Sequence, residues 1–394
     1  RGLGDVYKRQ TELLRASILF DFAWNPLAAI TVSTLGSEGL LAPSVRIVGT
    51  YGLSGLLILL AGAIFLIFHE RRWPALAVLV GIPLAISVAG WASRPPASPI
   101  TAAADRPSIH VIQPNIDQSV KWDPAFAQDN FERLAATTGE PSDEPRLIFW
   151  PEAAVPEFIE DDPVARFRIA SLLGADDILL LGATKLIVET GEDGRHRAVG
   201  ARNSLYAMDG DGEILARYDK ANLVHFGEYL PLRGFFEAVG MSRLAPGDLD
   251  FWPGPGPATL DLPGFGRVGG QICYEIIFSG QVVDRDDRPD FLFNPSNDAW
   301  FGAWGPPQHV AQARLRALEE GLPVIRSTPT GISAVIDARG YVVDHIPYQE
   351  AGMISSALPA AASPTLFARY GNLIPLLFAF LLCGLAFALM RRPR

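Results

Sequence analysis

Cys273 stands where an apolar run stops, in Gly269-Gly270-Gln271-Ile272-Cys273-Tyr274-Glu275, and is one of two cysteines in the chain. A lone Cys at the end of a strand-like run, with a carboxylate two residues on, can act as a nucleophile. A free Cys is equally at home as a small core residue, so Cys273 alone decides nothing. Two other groups shift the balance. Glu152 follows the apolar run 147–150 in Trp150-Pro151-Glu152, and Lys220 closes Ala216-Arg217-Tyr218-Asp219-Lys220. In α/β sheets, catalytic groups gather at strand ends and on the loops that leave them. A thiol with the ordinary pKa of ~8.5 is mostly neutral at pH 7, and a nearby cation lowers that value. Lys220 can supply the cation and later donate to the oxyanion of a tetrahedral intermediate. Glu152 can take the thiol proton and return it to the leaving group. The three residues together describe covalent acyl transfer through a thioester.

Such a site needs a sheet to hold it. Strand-like runs occur at 109–113, 147–150, 178–183, 204–208, 267–272, 291–294, 324–327 and 332–336. Helical patterns fall at 124–137, 163–173 and 308–320, the first two opening with Pro in a first-turn position. Asp209-Gly210-Asp211-Gly212 is a hairpin turn joining 204–208 to 213–218. Alternating strands and helices predict an α/β catalytic domain over 108–365.

The rest of the chain is different. Of its 394 residues 49% are apolar and only 19% charged, and the mean hydropathy is +0.19. Uncharged runs at 51–68, 73–91 and 371–390 each approach the ~20 residues that cross a bilayer. Residues 11–92 read as a partial N-terminal membrane region, 93–107 as a Pro-rich linker and 371–390 as a C-terminal span. Arg71-Arg72 and the Arg391–Arg394 cluster come directly after the first and last runs. The positive-inside rule puts both in the cytoplasm and the domain between them outside. Residues 1–10 share no pattern with the apolar segment beginning at Thr11 and are expected to be a non-native start. The net charge of −10 argues against a nucleic-acid partner. Cys383 lies in an apolar run, away from a disulfide role, and six scattered His give no metal motif; neither metal nor cofactor is expected.

Trp150-Pro151-Glu152, Tyr218-Asp219-Lys220 and Ile272-Cys273-Tyr274-Glu275 resemble the Glu-Lys-Cys motifs of the nitrilase superfamily. Gln113-Pro114-Asn115-Ile116, Lys121-Trp122-Asp123-Pro124, His225-Phe226-Gly227-Glu228-Tyr229-Leu230-Pro231 and Ser296-Asn297-Asp298-Ala299-Trp300-Phe301-Gly302 narrow the resemblance to its apolipoprotein N-acyltransferase branch. So does the Gln308-His309…Arg314-Leu315-Arg316-Ala317-Leu318-Glu319 segment. The resemblance covers residues 11 to 390. It implies a four-layer αββα sandwich flanked by transmembrane helices, with fewer spans before the linker than the family carries. It implies Cys273 as nucleophile, Glu152 as general base and Lys220 as oxyanion stabiliser. Glu228 would hold Lys220, Tyr274 and Glu275 would flank the nucleophile, and Trp122 would sit near the entrance. It further implies a monomeric, multi-pass enzyme of the bacterial inner membrane, its domain periplasmic. Its donor would be a phospholipid such as phosphatidylethanolamine, and its acceptor the α-amine of a diacylated apolipoprotein. The alternative is a membrane-tethered amidase acting on a soluble C–N substrate.

Overall fold

Strand runs that are apolar at every position need cover on both faces. In the computed structural model, which describes residues 12, 15, 16, 22–69, 73–96, 107–230 and 249–390, two stacked sheets provide it. The chain start 1–10, most of the linker and both basic clusters lie outside the described residues.

The first sheet holds β1 (Ser108–Gln113), β2 (Arg146–Phe149), β3 (Ile178–Thr190), β4 (His196–Asp209), β5 (Ile214–Asp219) and β12 (Gly352–Ala357). Their order is β12-β1-β2-β3-β4-β5. The second holds β6 (Thr259–Leu262), β7 (Gly266–Gly270), β8 (Phe291–Pro295), β9 (Val324–Ser327), β10 (Ser333–Ile336) and β11 (Val342–Ile346), ordered β11-β10-β9-β8-β7-β6. β1 to β3 run parallel, as do β7 to β9.

Alternation along each strand builds the layers. Leu147 and Phe149 of β2, Leu180 of β3, Phe291 and Phe293 of β8 and Ile325 of β9 meet between the sheets. Their neighbours Ile148, Leu179 and Leu181 turn outward toward Leu134 and Ile169. Those two belong to helices α3 (Ala127–Thr138) and α4 (Pro163–Ala170). On the far side Leu292 and Val324 turn toward Ala313 and Ala317 of helix α5 (Gly305–Glu320). The result is the αββα sandwich expected from the sequence. Each fully buried Leu or Phe contributes roughly 1.5–3 kcal/mol.

Helix α1 (Val45–His69) and helix α2 (Trp73–Ala92) form an apolar pair beside the domain, and α7 (Leu373–Met390) comes after the short helix α6 (Leu366–Tyr370). Arg46 near the start of α1 bonds Ser93 just past the end of α2, with Nε 3.2 Å from Oγ. Asn372, just before α7, donates to the Ser279 carbonyl at 2.8 Å. Arg46 also donates from Nη1 to the Leu318 carbonyl at 3.5 Å, so the paired ends of α1 and α2 and the start of α7 lie at the domain. Among the described residues one helix, Ala42–Phe68, is long and apolar enough to cross a membrane, with mean hydropathy 2.3.

Candidate active site

Glu152 is set by the exit from β2. Trp150 keeps β2 pairing through its N–H to the Leu180 carbonyl at 2.9 Å, and its buried indole donates to Thr138 Oγ1 at 3.0 Å. Gly182 of β3 faces the turn after β2: a Cβ there would come within 2.8 Å of Glu152 Cα. The missing side chain lets β3 pack against the loop that carries the carboxylate. Lys220 sits directly after β5, its N–H bonded to the Asn203 carbonyl at 2.9 Å. Cys273 opens a 3-10 turn over Cys273–Ile277 with φ of 51°, a left-handed conformation. Such a residue is turned sharply out of the strand line. Three strand ends from two sheets thus converge.

The polar atoms there are almost wholly buried: Cys273 is 7% exposed, Glu152 7% and Lys220 1%. Lys220 Nζ donates to Glu228 Oε1 at 2.8 Å and lies 3.8 Å from Glu152 Oε1. Asn203 Nδ2 bridges the two carboxylates, at 2.7 Å from Glu152 Oε1 and 3.1 Å from Glu228 Oε1. Glu228 Oε2 also accepts the Val224 N–H at 2.8 Å. Burial alone would lower the Lys220 pKa, but the charges of Glu228 and Glu152 overcome it and the net shift is upward. Lys220 is a fixed cation. Burial, then the charge of Glu152, raise the Cys273 thiol well above its ordinary pKa, while Lys220 and the Asn297 N–H pull it back. Burial thus favours the neutral thiol at Cys273, next to the Glu152 carboxyl.

Glu275 ties two of the strand ends together. Its Oε1 accepts from Tyr218 Oη at 2.8 Å, Ala221 N at 2.7 Å and Asn222 N at 3.0 Å, and its Oε2 from Ile272 N at 2.8 Å. Burial pushes its pKa up to about 7 against the pull of those donors and of Lys220. Gly270 lies against this tie, since a Cβ there would come within 2.7 Å of Tyr218 Cδ1.

Glu152, Lys220, Glu228, Cys273 and Glu275 therefore share one site. The Tyr274 ring packs edge-on to Phe278 at 5.2 Å. Trp122 is 48% exposed, its ring 5.3 Å from Lys121 Nζ.

Sequence reasoning missed Lys121 and Asn203 as members of the site. Lys121 is buried and donates from Nζ to the Glu152 carbonyl at 2.8 Å, and burial pushes its pKa down to about 8. Asn203 could have been found by counting from the hairpin turn. Pairing Ser204 with Asp219 puts Asn203 beside Lys220.

Residues 109–364 match the carbon-nitrogen hydrolase family. The chain is 35% identical to an apolipoprotein N-acyltransferase of Rhodopseudomonas palustris over 376 residues, 92% of this chain and 68% of that one. It is likewise 35% identical to one of Bradyrhizobium diazoefficiens over 397 residues, 97% of this chain and 71% of that one. Among solved structures it is similar to an amidase from Nesterenkonia sp., at 19% identity and a TM-score of 0.43, over 64% of this chain and 90% of that one. The chain belongs to the carbon-nitrogen hydrolase family and, within it, to the apolipoprotein N-acyltransferases.

Proposed function

We propose that this chain moves an acyl group from a glycerophospholipid, through a thioester on Cys273, to the N-terminal α-amine of a diacylglyceryl-cysteine apolipoprotein. The observation that carries the chemistry is the burial of Cys273 at a strand end where Glu152 and Lys220 also meet, Lys220 Nζ lying 3.8 Å from Glu152 Oε1. The acyl donor and acceptor are inferred from the names of the relatives.

In the first half-reaction Glu152 takes the thiol proton as Sγ attacks the ester carbonyl. Negative charge grows on the carbonyl oxygen, and the Lys220 ammonium stabilises it in a site almost closed to water. The C–O bond breaks, and Glu152 passes its proton to the departing lysophospholipid oxygen. In the second, the lipoprotein α-amine attacks the thioester carbonyl. Glu152 takes the amine proton, the C–S bond breaks, and that proton returns to Cys273. An amide is left and the enzyme is restored. Glu228 and Asn203 hold Lys220 and Glu152 in register throughout.

The membrane setting is part of the reading. Helices α1, α2 and α7 serve as spans in the inner membrane, all joining the domain at one end. In the sequence Arg71-Arg72 follow α1 and the Arg391–Arg394 cluster follows α7, which by the positive-inside rule supports a periplasmic domain. Phosphatidylethanolamine is the proposed donor, and a single chain carries the whole site. A tethered amidase is less supported, since the curated relatives spanning most of this chain carry the acyltransferase name.

Reconstitution of the chain with phosphatidylethanolamine and a diacylated lipopeptide tests the reading. Equal release of lysophospholipid and N-acylated peptide, lost in Cys273→Ala, is expected. Release of free fatty acid with no N-acylated peptide would overturn it.

A further inference from the structure

A non-glycine residue keeps a left-handed backbone only where its surroundings impose it. At Cys273 they act through the carbonyl. That oxygen accepts from Asn294 Nδ2 at 3.2 Å and faces His309 Nε2 at 3.1 Å, and both side chains are fully buried. A carbonyl can only accept, so His309 carries a hydrogen on Nε2. Its Nδ1 lies 2.8 Å from Asp298 Oδ1, and Asp298 Oδ2 accepts from Arg326 Nη2 at 2.5 Å. The same guanidinium donates to Ser296 Oγ at 2.8 Å and to Asn294 Oδ1. Arg326 therefore fixes both side chains that reach the Cys273 carbonyl. Asp298 is also next in the chain to Asn297, whose backbone N–H acts to lower the thiol pKa. One buried cluster thus holds the Cys273 carbonyl.

We propose that His309, oriented by Asp298 and Arg326, is a positioning residue that locks the Cys273 backbone and so aims the thiol at Glu152 and Lys220. The proposal rests on Cys273 being the nucleophile. His309 takes no proton from substrate; its part is to hold a conformation that Cys would not keep unaided. It sits on α5 under Trp24, whose ring lies 5.2 Å from the imidazole, so the segment before α1 packs on the same group.

The test compares His309→Gln, His309→Asn and His309→Leu in the whole chain in phospholipid–detergent micelles. Alkylation of Cys273 by iodoacetamide, kcat, KM and melting temperature are the readouts. A Gln amide nitrogen falls near the place of Nε2, and an Asn amide nitrogen near that of Nδ1. The Gln variant is expected to stay within about threefold of the parent in alkylation rate and kcat. The Asn and Leu variants should fall about 10- to 100-fold in both, the scale of a lost buried hydrogen bond, with KM unchanged. Should the Leu variant not fold, Gln against Asn decides, and equal rates contradict the proposal. A parent whose transfer activity survives Cys273→Ala would remove the nucleophile reading itself. A parent that is alkylated, with Asn and Leu variants reacting at its rate, would overturn the positioning role alone.

Discussion

The Glu275 carboxylate accepts the backbone N–H of Ala221, the residue after Lys220, at 2.7 Å. A side chain two positions past Cys273 therefore fixes the loop that carries Lys220. With Ile272 N on its other oxygen, Glu275 links β5 in one sheet to β7 in the other, next to the reacting atoms.

Glu275→Gln should separate this tie from plain volume. The amide keeps the shape but turns an N–H₂ toward backbone donors, leaving at least one buried group without a partner. A stability loss of about 2 kcal/mol and a drop of about tenfold or more in kcat are expected. Denaturant unfolding and steady-state kinetics check it, and parent values in both would show that the tie is idle.

Lys220→Met should lower kcat at least about a hundredfold, as removal of an oxyanion donor does. It should also lower the melting temperature, because Glu152 and Glu228 then share Asn203 with no cation between them. Activity near the parent's would contradict the assigned role. A collapse in activity with unchanged melting would contradict the structural half.

How much of this was legible depends on where each residue sits. The central strands were readable because β2, the first half of β3 and the start of β8 are buried on both faces and appear as short apolar runs. β6, β11 and β12 were missed, and all three are sheet edges, where Asp261, Asp344, His345 and the Ser355-Ser356 pair interrupt any apolar signal. Of the long β3–β4 hairpin only the two strand runs at its base were read, and not their pairing. Beyond Ala183 and before Ser204 its strands lose apolar cover, so pairing continues to Thr190 and His196 with no periodicity to announce it. Cys273, Glu152 and Lys220 stood out by type and place. Lys121 and Arg326 did not, since a buried cation looks like a solvated one until its partners are known.

Burial first, and the charge of Glu319 second, push the Glu320 pKa from 4.5 up to about 7. A raised folded-state pKa favours the neutral acid in the folded chain. That stability is fully present below about pH 4.5 and is lost as pH rises through about 7. Across that window the parent should lose about 3 kcal/mol relative to Glu320→Gln, read as the difference between two melting curves at each pH. Parallel pH dependences in the two proteins would refute the assignment.

The central claim is a covalent acyl group on Cys273 that forms before any acceptor is present. Incubation with phosphatidylethanolamine alone, then intact-mass and peptide mass spectrometry, reads it directly. One acyl chain on the peptide containing Cys273, released by hydroxylamine and absent from Cys273→Ala, is the predicted result. An unmodified Cys273 in a preparation that nevertheless transfers the acyl chain once the lipopeptide is added would contradict the thioester.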